Sequence, residues 1–224
     1  MMSWRNLLTV ASLSSLNVCW GFMASIMAPF LPLEAQTKGA TASQFGPIFG
    51  IIHLALFITS PLMGKVISRL GLGNVFKSGL LLISFSSLCF GLLTFLDDPT
   101  LFLVLAYSLR MIEGVGGSAL WTSMLALLLA RSDKRKLKMF LIPFCCSHPN
   151  QAGLVYSLVD GTFGAGYIMG PVIGAALYNL GGFLSPFLIS GLVFLLMSKT
   201  RQFSVLDLTP SLVKVFSALT WSDP

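Results

Sequence analysis

The chain has 224 residues, of which 55% are hydrophobic and 10% are charged, and its mean hydropathy is +0.85. So few charges cannot cover a soluble globule of this size, which excludes a soluble protein and requires lipid around much of the surface. The net charge of +6 is explained by basic loops on one side of a membrane and by attraction to anionic headgroups, so no nucleic-acid partner is needed. We predict an all-α integral membrane protein with lipids as partners.

A membrane-spanning helix needs about 20 mostly apolar residues, and six segments qualify. In chain order they are Leu7–Leu31, Phe45–Met63, Val75–Phe95, Leu101–Leu129, Gly153–Tyr178 and Phe183–Met197. Arg5 before the first segment is also typical of a signal peptide, but that apolar run is too long and five more follow it. The sequence therefore predicts six transmembrane helices.

Lysine and arginine are concentrated in every second connection between these segments. The basic positions are Arg5, then Lys65, Arg69 and Lys77, then Arg131, Lys134, Arg135, Lys136 and Lys138, and finally Lys199, Arg201 and Lys214. The other connections hold Lys38, then Asp97 and Asp98, then no charge. Basic loops stay cytoplasmic, so both termini are predicted to be cytoplasmic, as an even number of spans requires.

One sequence pattern occurs twice in the chain. Ser60–Gly71 reads SPLMGKVISRLG and Gly170–Gly181 reads GPVIGAALYNLG, so both keep proline, two apolar residues, glycine and a closing Leu-Gly in register. Chance is one explanation for so few matched positions. An odd number of crossings between the copies would make them point in opposite directions, as in inverted-repeat transporters. We predict two inverted three-helix repeats.

Five polar side chains fall inside predicted spans, where they are expensive and therefore functional candidates. Arg110 and Glu113 share a face of the fourth span and partly neutralise each other. Asp160 lies before a glycine run in the fifth, while Asn17 and His53 lie in the first and second. A structural ion pair, and hydrogen-bonded packing of the histidine, are the alternatives. We predict that all five serve substrate binding or proton coupling, with Asp160 as the exchanging carboxylate.

The fifth predicted span is rich in small residues. Its motif positions are Gly166, Gly170, Pro171 and Gly174. Small residues let helices approach closely in lipid, and proline frees a backbone carbonyl and permits a bend. Static packing is one interpretation. The other is a helix that is closely packed yet deformable, as a rocking transporter requires.

Two stretches resemble signatures in the first six-helix half of the major facilitator superfamily. GKVISRLG is similar to the loop signature G-x-x-x-D-R-x-G-R-R/K that follows the second helix, with Ser68 in place of the acid and Leu72-Gly73 in place of the bases. RMIEGVG, which begins at Arg110, is similar to the fourth-helix signature R-x-x-Q-G-x-G, with glutamate for glutamine. The loop positions that match are Gly64, Arg69 and Gly71.

A third stretch, GYIMGPVIG at Gly166–Gly174, matches the fifth-helix antiporter signature G-x-x-x-G-P-x-x-G, although Ala175 follows where the full signature has one more glycine. This resemblance implies exchange rather than symport. The chain also resembles stretches of the vesicular amine and polyamine transporter family, in its order, at Ala28–Ala35, Ser60–Lys65 and Gly166–Gly170 followed by Ala176–Phe183. That resemblance implies a proton antiporter that loads organic cations into acidic vesicles. It also makes Asp160, where members place a glutamate, a cation-binding or proton-binding carboxylate.

The sequence thus predicts half of a major facilitator fold over residues 1–200 and a cytoplasmic tail over residues 201–224. In the tail, Ser211–Trp221 has apolar residues at helical spacing and predicts a short amphipathic helix, or the frayed start of a central linker. Residues 133–151 do not look like the family's short connection, through divergence or an alternative exon. Family members also continue through a second set of six helices.

Three functions fit these observations. The first is proton-coupled antiport of an organic cation, an amine or a polyamine, in a vesicle, another endomembrane or the plasma membrane. The second is a truncated, non-transporting half that is inert or pairs with a full-length relative or a second copy. The third, a six-span scaffold, is disfavoured because it has no need of charges in spans. Without a nucleophile, metal-ligand cluster or phosphate loop, we expect no enzyme, metal or cofactor.

Overall fold

The computed structural model describes residues 4–131 and 151–199, which form helices joined by turns. The helices are α1 (Trp4–Ser25), α2 (Leu31–Thr37), α3 (Ala42–Phe45), α4 (Ile48–Leu70), α5 (Leu72–Leu92), α6 (Pro99–Arg131), α7 (Gln151–Gly181) and α8 (Leu184–Lys199). A 3-10 turn, Leu93–Phe95, follows α5. The all-helical prediction is confirmed for these residues. The predicted tail helix and residues 133–150 of the unusual connection lie outside them.

Several of these helices are long and apolar enough to cross a membrane. Four segments of 24 to 29 residues qualify, namely Ala42–Leu70, Leu72–Phe95, Pro99–Leu127 and Ser157–Gly181. Each exceeds the roughly 20 residues that a bilayer core demands. α1 has 22 residues, and the shorter apolar helix α8 has 16. The described part of the chain therefore supplies four clear spans, and the count of six stays a prediction.

The predicted ends of the first two spans are wrong. The first was expected to run to Leu31, but α1 ends at Ser25 and turns lead into α2. Pro29 cannot donate a backbone hydrogen bond and disfavours the helical conformation at the residue before it. The second was expected to end at Met63, but α4 continues to Leu70. Ile67 is buried in the core, so packing keeps this part helical.

The helices pack in pairs. α1 lies along α7, α4 lies along α6, and α5 contacts both α6 and α8. Buried residues make up 50% of the apolar windows of α5 and α6, but 22% of that of α4 and 17% of that of α7. α4 and α7 therefore expose the largest share of their surface. Ring contacts among five phenylalanines form a second core, made of Phe30, Phe90, Phe102, Phe183 and Phe187.

Lys38, the basic residue on the otherwise non-basic side, has a structural role. Its Nζ donates to Thr94 O at 2.9 Å and to Leu96 O at 2.6 Å, which ties α2 to the end of the 3-10 turn. The same atom lies 3.7 Å from Glu34 Oε1 and 5.6 Å from the centre of the Phe102 ring. Since its charge is compensated locally, Lys38 adds little to the charge difference between the two ends of the bundle.

Candidate functional site

Arg110 and Glu113 meet inside the bundle, as their spacing on one helix face predicts. Arg110 Nη1 donates to Glu113 Oε2 at 2.8 Å, and each side chain is 1% exposed. The guanidinium lies 4.9 Å from the centre of the Phe90 ring of α5, and its Nη2 contacts Met27 Sδ in the turn after α1. Three parts of the fold thus enclose the pair.

This enclosure leaves two polar atoms of the pair unused. Within the described residues, Arg110 Nε and Glu113 Oε1 are buried and have no hydrogen-bond partner. Each charge is compensated mainly by the other, and removal of one would leave its partner buried and uncompensated. The geometry favours a charge-neutral internal pair, and a direct role in substrate binding stays a prediction.

Asp160 has a different environment. It lies on α7 and is half-buried. The ion pairs of the described residues are Lys38 with Glu34 and Arg110 with Glu113, so no described lysine, arginine or histidine nitrogen lies within 4.0 Å of the Asp160 carboxylate. A carboxylate inside a membrane span is costly unless a cation or a proton compensates it. A role of Asp160 in accepting either one stays a prediction.

Asn17 joins α1 to α7 beside Asp160. Its side chain is buried, and its Nδ2 donates to Val159 O at 2.8 Å. Thr162 Oγ1 donates to the same carbonyl at 2.6 Å. Asn17 Oδ1 is buried and without a hydrogen-bond partner in the part of the chain that the structure describes. The structure thus brings two predicted residues to the same level of the bundle, with Asn17 contacting the backbone next to Asp160.

His53 lies apart from the other candidates. It is exposed on α4, and its Nδ1 lies 3.4 Å from Phe49 O, one turn earlier in the same helix. Among the described residues, no hydrogen bond or ion pair joins His53 to the other four candidates. Its predicted coupling role therefore gains no geometric support from a partner within this bundle.

The motif glycines of α7 are points of close approach to α1. A Cβ added at each would lie 2.0 Å from Val18 O at Gly166, 2.0 Å from Ser25 Oγ at Gly170 and 2.3 Å from Ile26 O at Gly174. Gly21 does the same from α1, at 2.1 Å from Phe163 O. We call these four residues the glycine seam. Small residues at such points let two backbones touch in lipid, so close packing is established here. Deformability around Pro171 stays a prediction.

Three rings contact one another where α6 faces α7, one to two helical turns after Asp160. Trp121 of α6 meets Phe163 edge-on with centroids 5.9 Å apart, and Phe163 is 5.9 Å from Tyr167. Phe163 and Tyr167 follow Asp160 by three and seven positions, so they share its face of α7. Gly164 lies on this face too, and a Cβ added there would meet nothing within 4 Å. This face of α7 is therefore open at Gly164, one turn after Asp160.

The sequence prediction did not include these rings. The spacing of Phe163 and Tyr167 after Asp160 was visible in the sequence and could have identified them. Trp121 lies 39 positions before Asp160, so its contact with Phe163 depends on how α6 packs near α7. No local pattern in the chain carries that information.

Comparison with known proteins places the chain in a family. The sequence model of the Major Facilitator Superfamily matches residues 13–199. The chain belongs to the major facilitator superfamily. It is 28% identical over 196 residues to the MFS-type transporter SLC18B1 of Mus musculus, of Rattus norvegicus and of Homo sapiens. The alignment covers 88% of this chain, but 39% of the mouse protein and 40% of the rat and human proteins.

These comparisons confirm the superfamily recognised from the motifs, and the matched relatives are MFS-type transporters. The chain is an integral membrane protein, because four of its helices can span a bilayer and its superfamily is one of membrane transporters. This superfamily is a transport family rather than an enzyme family. The chain spans about two fifths of the length of the curated relatives it matches.

The superfamily's loop signature is mostly helical in this chain, so its predicted placement in a loop is wrong. Gly64 and Arg69 lie within the last two turns of α4. Gly71 alone separates α4 from α5, with φ at 84° and ψ at 149°. A positive φ is readily adopted by glycine but not by residues with a side chain. The signature therefore ends a helix and turns the chain at one residue.

Proposed function

We propose that this chain is one half of a proton-coupled antiporter that exchanges protons for organic cations, an amine or a polyamine, across the membrane of an acidic vesicle or another endomembrane. The observation that carries the proposal is the placement of Asp160, half-buried in a span and without a described cationic partner. Membership of the superfamily and the antiporter motif at Gly166–Gly174 support it.

The exchange follows from the compensation that Asp160 needs. A bound ammonium group or a proton can neutralise the carboxylate, and a single carboxylate favours one of them at a time. Arrival of the organic cation therefore displaces the proton, and protonation from an acidic lumen displaces the cation. Arg110 does not compete for this role because Glu113 already holds it at 2.8 Å.

The helix pairs support an inverted repeat. If α1, α4 and α5 form one repeat and α6, α7 and α8 the other, exchanging the repeats turns the α1–α7 contact into the α6–α4 contact and leaves the α5–α8 contact unchanged. The α5–α6 contact departs from this symmetry, since its counterpart between α8 and α1 is small. On this arrangement α1 and α8 are spans as well, which completes the count of six. Superposing the two sets of three helices, with Pro61 on Pro171, tests it, and failure of α4 to superpose on α7 would make the sequence repeat a coincidence.

Both termini are proposed to be cytoplasmic. Lys65 and Arg69 lie on the last two turns of α4, at the end opposite Asp97 and Asp98, which follow α5. Single cysteines introduced at Ser132 and at Asp98 should react with a membrane-impermeant maleimide from opposite sides of sealed vesicles. Labelling of both from the same side would overturn this orientation.

A complete antiporter is proposed to need a second half. The curated relatives are about two and a half times as long as the matched region, and α4 and α7 are the least buried spans. The second half is a further part of the same protein, a second copy of this chain or part of a full-length relative. The same observations favour a second candidate function, a half that pairs with a relative without transporting.

Uptake into proteoliposomes tests the proposal. The purified chain should accumulate radiolabelled spermidine or serotonin when an acid-inside pH gradient is imposed, and collapsing the gradient with nigericin should abolish this. Asp160→Asn, which keeps size and removes the charge, should abolish gradient-driven uptake with expression retained. Asp98→Asn, which removes an exposed loop carboxylate, is the matched control and should transport at the parental rate.

The outcomes separate the two candidates. Gradient-driven uptake that Asp160→Asn abolishes supports the antiporter. If the chain alone gives no uptake, the chain is co-expressed with a full-length relative. The carboxylate of that relative at the position matching Asp160 is then replaced by its amide. Loss of uptake there supports a coupling role in a two-half assembly. Parental uptake with unchanged pH dependence in Asp160→Asn overturns the assignment.

A further inference from the structure

We infer that Asp160 and the rings of Trp121, Phe163 and Tyr167 form a binding site for an organic ammonium ion. The carboxylate supplies one ionic contact, and the rings supply cation–π contacts and apolar surface for the carbon groups on the nitrogen. This inference rests on the proposed function and extends it, because it assigns the aromatic side of the site and the chemical class that this side selects.

The geometry of the face carries the inference. Helical spacing puts positions 160, 163 and 167 along one side of α7, and Trp121 of α6 contacts the ring of Phe163 on that side. Tyr167 is 45% exposed, and the position of Gly164 between Asp160 and Tyr167 opens onto free space. A ligand can therefore approach the carboxylate and the rings together without displacing a side chain at Gly164.

Two cation–π contacts elsewhere in the chain show the same combination of a ring and a carboxylate around a cation. Two rings of the phenylalanine core hold cations that the chain itself supplies, Lys38 over Phe102 and Arg110 over Phe90. Each of those cations also has its own carboxylate, Glu34 or Glu113. The face at Asp160 has the carboxylate and the rings, but within the described residues no cation lies over its rings.

The chemistry of the face selects the kind of cation. Ring faces attract ammonium groups, most strongly when water is displaced, and the carbon substituents of an organic cation gain contact with the rings. A calcium ion needs six to eight oxygen ligands, and magnesium needs octahedral oxygen coordination. Among the described residues, Asp160 is the sole carboxylate on this face, so an organic ammonium ion fits better than a divalent metal.

Equilibrium binding tests the site without requiring transport. The purified full chain in lipid nanodiscs is titrated with radiolabelled tetraethylammonium, and unlabelled spermidine is used as a competitor. Asp160→Asn should weaken binding at least tenfold, and Trp121→Leu and Tyr167→Leu about threefold to tenfold each. Trp121→Phe keeps a ring and should bind within about twofold of the parent, since phenylalanine also presents a π face. Phe85→Leu, which removes an exposed ring on α5, is the matched control and should bind like the parent.

A second measurement does not depend on how well the ring variants fold. In a background with the native cysteines replaced by serine, Gly164→Cys and Gly161→Cys are compared for reaction with a methanethiosulfonate reagent. A Cβ at either position meets nothing within 4 Å, but Gly164 shares the face of Asp160 and Gly161 is turned away from it. Tetraethylammonium should slow the reaction at Gly164→Cys at least fivefold and leave Gly161→Cys unchanged.

The results distinguish this site from the proposed function. Binding with the predicted losses but without gradient-driven uptake supports the site and contradicts autonomous transport. Uptake that Trp121→Leu, Tyr167→Leu and Phe85→Leu leave equally intact, without protection at Gly164→Cys, supports transport and overturns the site. Absence of tetraethylammonium and spermidine binding to the parent chain also overturns it.

Discussion

The two charged regions of the bundle solve the problem of charge in a membrane in opposite ways. Arg110 and Glu113 compensate each other at 2.8 Å, are 1% exposed, and lie beneath Met27 and Phe90. Asp160 is half-buried, and no described cation reaches it. The difference teaches that an intramembrane charge is a functional candidate mainly when its compensation has to come from outside the chain.

The buried pair should show the largest loss of stability when it is broken. Glu113→Gln leaves the Arg110 guanidinium buried without its counter-charge, and we expect the free energy of unfolding to fall by about 3–5 kcal/mol. SDS titration of the purified protein in mixed micelles, followed by circular dichroism, measures this change.

The double variant Arg110→Met with Glu113→Leu is the control for this prediction. It replaces both charges with apolar groups of similar volume and should recover most of the stability, because an apolar replacement of a buried pair is often neutral or stabilising. Equal losses in the single and double variants would mean that shape, and not charge compensation, is what the pair supplies.

The glycine seam fixes where α7 carries Asp160, so it should give the next largest effect. Gly166→Ala places a methyl group 2.0 Å from Val18 O, and we expect a loss of about 1–3 kcal/mol from overpacking. Gly161→Ala on the same helix meets open space and should be neutral, or stabilise by roughly 0.5–1 kcal/mol through the helix preference of alanine. The same SDS titration compares them, and similar losses at both positions would contradict the seam.

Much of this fold could be predicted because lipid imposes strong rules on composition. Apolar length located the helices, and the lower hydropathy of the connections separated them. The errors occurred where local geometry overrides apolar length. Pro29 ends the first helix earlier than its apolar run does, and burial of Ile67 carries α4 past the motif glycine at position 64. Neither effect appears in a hydropathy pattern, because one depends on backbone sterics and the other on tertiary packing.

In the candidate site, contacts within one helix could be predicted from the sequence, and contacts between helices could not. The pairing of Arg110 with Glu113 could be predicted because both residues lie on one helix turn. The contact of Asn17 with Val159 O spans 142 positions, so no local pattern contains it. The roles expected for the motif glycines included both packing and bending, and the distances to α1 establish the packing role. Bending of α7 around Pro171 and proton coupling at Asp160 stay proposals, because each involves more than one arrangement of the helices.

Asn17 should give a smaller effect, since its hydrogen bond to α7 reaches only the backbone carbonyl next to Asp160. Asn17→Leu removes the hydrogen bond to Val159 O but also removes the buried, unpartnered Oδ1. We expect a net loss of stability of about 0.5–1.5 kcal/mol, the usual contribution of one such bond. Ser15→Ala, which removes an exposed hydroxyl on α1, is the control and should change stability by less than about 0.5 kcal/mol. A gain in stability with Asn17→Leu would show that the unpartnered oxygen outweighs the bond.

Asp160 should give the smallest change in stability, and this contrast with Glu113 separates the two regions most sharply. Asp160→Asn removes a charge that has no described ion-pair partner, so no opposite charge is left uncompensated. We expect the free energy of unfolding to fall by less than about 0.5 kcal/mol, and any larger change to be a gain, because an uncompensated carboxylate is itself costly in a span. The measurement is the same SDS titration, with Glu113→Gln in parallel. A loss as large as that of Glu113→Gln would mean that Asp160 is held by an internal cation and is not free to exchange one.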